Sequence, residues 1–205
     1  MIRVGVLASG YGSNLQALLD TGAAGAPYEV AVVIANVADA PALDRARRAG
    51  IPAQFVDNRG RPRRDFEADL VRLLREARVD LICLAGFMRI LSPWFIAQFP
   101  ERILNIHPAL LPAFGGPGMH GLHVHEAVLA AGATQSGCTI HLVNETVDGG
   151  PIVAQVPVPV LAGDTPAALA ARVTEAEHRL YPAVVRAVAE GRLLPGRGAA
   201  APAGG

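Results

Sequence analysis

Apolar and β-branched residues come in short runs along this chain, each closed by Gly, Pro or a charged residue, and amphipathic stretches lie between them. Residues 2–8, 29–35, 53–56, 80–85 and 102–107 read as strands, separated by helices near 13–21, 41–49 and 64–77. Strands alternating with helices predict an α/β fold built on a parallel sheet. Local punctuation agrees. Asp39 with Pro41 is expected to start one helix and Gly50 to stop it, and Ser92 with Pro93 opens another. Beyond a Gly-rich loop at 113–121, a short helix near 123–131 leads to strands around 136–143 and 151–158, for a mixed sheet of about seven strands. A last helix starts at Thr165-Pro166 with Leu169, Val173, Leu180 and Val184 spaced for one buried face, Pro182 kinking or restarting it, and Gly191 ending it.

Composition changes this picture little. At 205 residues, 51% of them hydrophobic, the chain suits one domain over 1–192, and residues 193–205 lack the side chains to stay packed. No apolar run reaches the roughly 18 to 20 residues of a membrane span. Met1 runs straight into a strand with no secretory leader, which places the protein in the cytoplasm. Eighteen basic residues balance eighteen acidic ones, so nothing recruits nucleic acid or an anionic membrane. Every basic residue is Arg, which excludes a Schiff-base lysine and a Walker-type loop. Cys83 and Cys138 sit in apolar stretches and read as buried thiols.

Candidate chemistry lies at the turns. Ser9-Gly10-Tyr11-Gly12-Ser13-Asn14 follows the first strand and opens the first helix, where free N–H groups and the helix dipole attract an anion. Leu15 stands in the third-glycine place of the dinucleotide motif, and Ile34-Ala35-Asn36 supplies no acid for a ribose, so NAD is disfavoured. The glycines alone are equally explained by a tight turn. Alternation in Leu104-Asn105-Ile106-His107-Pro108 puts Asn105 and His107 on one side of a strand, at the carboxyl end where α/β sheets bind ligands. The pair lies beside the phosphate loop if the first and fifth strands flank it. Asp148, in Val147-Asp148-Gly149-Gly150-Pro151, is either a plain hairpin turn or an acid folded back onto His107. Ala85 to Leu91 either walls a flat aromatic ligand or simply leaves the core. His120, His123 and His125 read as part of a mobile substrate-covering loop rather than a metal site, and no metal is expected.

Taken together, SGYGSNLQAL, LAGFMRILSPWF, ILNIHPALLP, GLHVHEAVL, GCTIHLV, VDGGPIVAQ and EHRLYP resemble, in order and spacing over roughly 1–192, the phosphoribosylglycinamide formyltransferase family. The resemblance implies a Rossmann-like formyltransferase fold, a mostly parallel twisted sheet flanked by helices. It also implies formyl transfer from 10-formyltetrahydrofolate to the amine of glycinamide ribonucleotide in purine synthesis. By position, the family's catalytic trio falls on Asn105, His107 and Asp148, and its phosphate loop on Gly12, Ser13 and Asn14. Glu177 matches its substrate-contacting acid. Its folate pocket falls on Met88, Arg89, Ile90 and Leu91, on Asn105, and on the loop of Val143, Asn144, Glu145, Thr146 and Val147. Arg63 matches the folate-contacting Arg better than the adjacent Arg64 does. The stretch from Phe114 to His120 is longer than the family's usual loop.

In the mechanism this implies, Asn105 and protonated His107 stabilise the oxyanion while Asp148 favours the imidazolium and helps relay the proton. Small molecules are the expected partners, and the chain is expected to be a monomer or weak homodimer. Three rivals remain: a formyl-folate hydrolase, a methionyl-tRNA transferase, and a non-catalytic phosphoribosyl sensor on the same fold.

Overall fold

The computed structural model describes residues 1–193. Its elements in chain order are β1 (Ile2–Ala8), α1 (Ser13–Ala23), β2 (Tyr28–Ala35), α2 (Pro41–Arg48), β3 (Ala53–Phe55), α3 (Arg63–Glu76), β4 (Leu81–Leu84), α4 (Pro93–Gln98), β5 (Ile103–His107), α5 (Leu122–Ala130), β6 (Gln135–Leu142), β7 (Ile152–Pro159) and α6 (Pro166–Ala189). The strands form one seven-stranded sheet in the order β3-β2-β1-β4-β5-β6-β7. The first five run parallel, β6 runs antiparallel to β5, and β7 antiparallel to β6. This is the α/β, Rossmann-like arrangement expected, with one difference: β4 sits between β1 and β5, so those two strands do not flank a common crevice. Strand order reverses at β1 and β4, the switch point where such sheets leave a crevice at their carboxyl ends.

Alternation along the strands divides the core into two layers. Val4, Val6 and Ala8 of β1, with Leu104 and Ile106 of β5, pack against α1 and α6. Leu7, Ile34, Ile82 and Ile103 point the other way, onto α3 and α4. On that second face Phe95 is fully buried, and its truncation to Ala would cost about 3 to 5 kcal/mol.

Side-chain caps set two helix starts: Ser92 Oγ accepts from the Phe95 N–H, and Thr165 Oγ1 accepts from the Ala168 N–H, each worth about 1 kcal/mol. For α2 the expectation holds at Pro41 and Gly50 but not at Asp39. Its N-cap is Ala40, no side chain caps it, and Pro41 with its preset φ starts the helix instead. Pro182 lies inside α6, which continues through it to Ala189 rather than restarting. The fully buried aromatic of that helix is Tyr181, whereas Leu180 is only partly buried. Its hydroxyl reaches Leu84 O at 3.1 Å and Leu104 O at 3.0 Å, bracing the carboxyl ends of β4 and β5. Leu193 packs against the core, in contrast to the unpacked tail expected from 193 onward; the remainder of that tail lies outside the described residues. Among the described residues, no helix is long and apolar enough to cross a membrane.

Candidate active site

The loop between β1 and α1 ends in Gly12, whose φ of 76° is left-handed, and a Cβ there would lie 2.8 Å from that of Ala42. Only glycine suits both conditions. Arg45 holds the loop from α2: its Nε donates to Tyr11 O at 2.9 Å, and its guanidinium lies 4.4 Å from the centre of the Tyr11 ring. At the helix start Asn14 Nδ2 donates to Glu177 Oε2 at 2.9 Å, joining two residues that are 163 positions apart. Glu177 is 7% exposed, and burial raises its pKa against the opposing pull of the Asn14 amide. Asn14 Oδ1 is buried with no partner among the described residues. A ligand hydroxyl would supply the missing donor.

On β5, Asn105 and His107 share the side opposite Leu104 and Ile106, as alternation predicts. Antiparallel pairing sets His141 of β6 directly across from Asn105. The hairpin after β6 folds Asp148 back, with its φ of 54° in the left-handed region that Asp tolerates better than most residues. Gly150 makes this turn possible, because a Cβ there would fall 1.8 Å from Leu142 O. Asp148 Oδ2 then stands 3.4 Å from His107 Nδ1, and Oδ1 stands 3.5 Å from His141 Nε2. His141 Nε2 also lies 3.1 Å from Asn105 Nδ2. The sequence reading gave His141 no role, although its motif was recognised; the signal is its register opposite Asn105.

Two backbone groups of the Gly-rich loop complete the cluster. Phe114 O lies 2.8 Å from His107 Nε2, and the Gly116 N–H donates to Asp148 Oδ2 at 3.0 Å. Burial by itself would raise the Asp148 pKa, but hydrogen bonds from His141 and Gly116, with the nearby His107, hold it below the usual carboxylate range. Burial lowers the His107 pKa, outweighing the Asp148 carboxylate that pulls it up. Desolvation thus works against the protonated His107 expected, while Asp148 works for it.

The expected folate residues divide. Met88, Arg89 and Ile90 are exposed at the carboxyl end of β4, while the Leu91 side chain is buried in the α3–α4 layer. Asn144, Glu145 and Thr146 are exposed, Val143 and Val147 are half-buried, and Asn144 Oδ1 accepts from the Thr146 N–H to shape this loop. Arg63 Nη2 donates to Ile90 O, reaching the exposed stretch, whereas Arg64 stacks on Trp94 at 3.4 Å from its ring centre. Ser9 ties the two ends of the crevice: its N–H donates to Gly86 O at 3.0 Å, and its hydroxyl accepts from the Met88 N–H at 2.8 Å. His120 and His123 meet edge-on and His125 is buried, and no group of three or more metal-capable side chains gathers among the described residues.

A family model for formyl transferases matches residues 2–185. The human trifunctional purine biosynthetic protein adenosine-3 is 45% identical over 196 residues, covering 95% of this chain but 19% of that protein. The chloroplastic phosphoribosylglycinamide formyltransferase of Arabidopsis thaliana is 43% identical, covering 93% of this chain and 66% of its own length. The chain thus spans about a fifth of the human relative and 14% of its Drosophila pseudoobscura counterpart. Among solved structures, glycinamide ribonucleotide transformylase 1 from Symbiobacterium toebii is 50% identical, with a TM-score of 0.89 over 96% of this chain and 92% of that one. Phosphoribosylglycinamide formyltransferase from Brucella melitensis is 46% identical, with a TM-score of 0.85 over 95% and 98%.

Proposed function

The chain belongs to the formyl transferase family, and from that premise we propose that it moves the formyl group of 10-formyltetrahydrofolate onto the amine of glycinamide ribonucleotide. The products are formylglycinamide ribonucleotide and tetrahydrofolate, in purine biosynthesis. The observation that carries this reading is the joining of Asn105, His107 and Asp148, through His141, at the carboxyl end of a sheet whose first turn is built to receive an anion. Gly12, Ser13 and Asn14 bind the acceptor's phosphate through free N–H groups at the start of α1, and Glu177 with Asn14 meets its ribose hydroxyls. Met88, Arg89 and Ile90, with the 143–147 loop and Arg63, hold the folate.

In the transfer, a bond forms between the amine nitrogen and the formyl carbon, the bond from that carbon to the folate nitrogen breaks, and one amine proton ends on the folate nitrogen. Asn105 has two amide N–H groups. One faces His141, and the second donates to the oxygen on which negative charge develops. His107 Nε2 donates to the same oxygen, which takes the place of Phe114 O. With the resting proton on Nε2, the Nδ1 lone pair receives the amine proton through water, and Asp148 stabilises the imidazolium so formed. Its release to the folate nitrogen completes the relay. The same reading gives the protein small-molecule partners, a cytoplasmic location, one catalytic domain over 1–192 and a monomeric or weakly dimeric state.

The test mixes purified protein with 10-formyltetrahydrofolate, with and without glycinamide ribonucleotide, following folate release by absorbance and the product by mass. Release that depends on the acceptor and yields a formylated ribonucleotide supports the proposal. Release without acceptor makes the protein a hydrolase, and binding without release makes it a sensor.

A further inference from the structure

The α3 layer contains a buried acid outside the catalytic cluster. Glu67 is 2% exposed, at the second turn of α3. A buried carboxylate is retained only where donors surround it. Three do so here. The Ser92 N–H donates to Oε1 at 2.8 Å, the Ser92 hydroxyl donates to Oε2, and Arg63 Nε donates to Oε1 at 3.2 Å. Ser92 follows directly on the 86–91 stretch and caps α4. Arg63 is half-exposed, lies one helical turn before Glu67, and passes its Nη2 to Ile90 O. One acid therefore holds both the end of this stretch and the arginine that crosses it. A guanidinium has five N–H donors, and the two bonds described leave others for an anion arriving from solvent.

We propose that Glu67 is a positioning residue for the formyl donor. Its buried negative charge aims the Arg63 guanidinium across the exposed Met88–Ile90 stretch, so that Arg63 meets the carboxylate tail of the folate. The inference rests on the function proposed above, and it concerns the donor alone. The acceptor's phosphate loop and Glu177 sit on β1, α1 and α6, and neither Glu67 nor Arg63 bonds to them.

The test is Glu67→Gln. Gln can place its oxygen where Oε1 accepts from Ser92 and Arg63, and its NH2 can donate to Ser92 Oγ, so the variant keeps the local bonds while removing the charge. The expected result is a donor KM raised about three- to tenfold, the share of one ordinary hydrogen bond, with kcat and acceptor KM unchanged within twofold. Arg63→Ala should raise the donor KM similarly, and the double variant should be no worse than Arg63→Ala. A donor analogue lacking the glutamate tail should be used equally by all four proteins. Additive losses, a uniform fall in kcat with both KM values, or a silent Glu67→Gln would overturn the proposal. Wild-type protein that fails to consume 10-formyltetrahydrofolate would instead refute the function beneath it.

Discussion

The two sides of the proposed catalytic cluster are built from different material. Asn105 and His107 stand on β5, which is paired along both edges, and their spacing and direction are dictated by the pleat. Asp148, Phe114 O and Gly116 N stand on loops, all three residues at positive φ, and their positions depend on contacts between segments some thirty residues apart. The strand side is thus a fixed pair of donors, and the loop side supplies charge and desolvation that act through the strand side. Changes on the two sides should therefore differ in size and in kind.

The largest effect is expected on the strand side. Asn105→Ala removes a fixed donor from the developing oxyanion and should lower kcat about 100- to 1,000-fold. Acceptor KM should stay within a fewfold, since the phosphate loop is untouched. Steady-state kinetics with each substrate varied separately checks this, and a loss confined to KM would contradict it.

Asp148→Asn probes the loop side without disturbing its backbone, because Asn adopts the left-handed conformation as readily as Asp. Removing the charge withdraws stabilisation from the His107 imidazolium and should lower kcat about 10- to 100-fold, equivalent to one or two pKa units. The sign of the pH effect follows. Wild-type activity falls as acid protonates resting His107, at a pH below the ordinary 6.5 because burial lowers its pKa. Asp148 pulls that pKa up, so Asp148→Asn should move the acid limb of the kcat/KM profile to still lower pH. An upward shift would mean that the carboxylate does not act on His107.

The smallest effect concerns stability. Burial lowers the pKa values of His107, His125 and His178 in the folded chain. The unfolded chain therefore binds more protons below about pH 6.5, and stability present above that pH is lost as pH falls through the folded values. Glu177, raised by burial, works with the opposite sign but is a single group. Urea midpoints should thus fall between pH 7.5 and 5.5 at constant m, and a flat or rising midpoint would show that these rings are not desolvated.

This same division governs what could be read from the sequence. The β5 side was legible because period-two alternation fixes which residues share a face, and the parallel half of the sheet followed from strands alternating with helices. On the loop side, Asp148 was marked only by the family resemblance. That Asp148 folds back on His107 depends on a hairpin whose geometry Gly150 permits but does not declare. Phe114 O and Gly116 N are backbone groups with no side-chain signature. His141 became visible only once β6 lay antiparallel to β5. The lowered pKa of His107 reflects desolvation by surroundings that no motif spells out. For Leu91, membership in a recognised motif gave no warning that the side chain turns into the core.

The measurement that tests the account most directly is a single-turnover reaction of His107→Ala with both substrates at saturation, together with the affinity of each substrate. The account predicts a transfer step slowed at least about 100-fold while both affinities stay within a fewfold of wild type. Transfer at a near-wild-type rate would contradict the assignment of His107 as donor and proton relay, and with it the catalytic cluster described here.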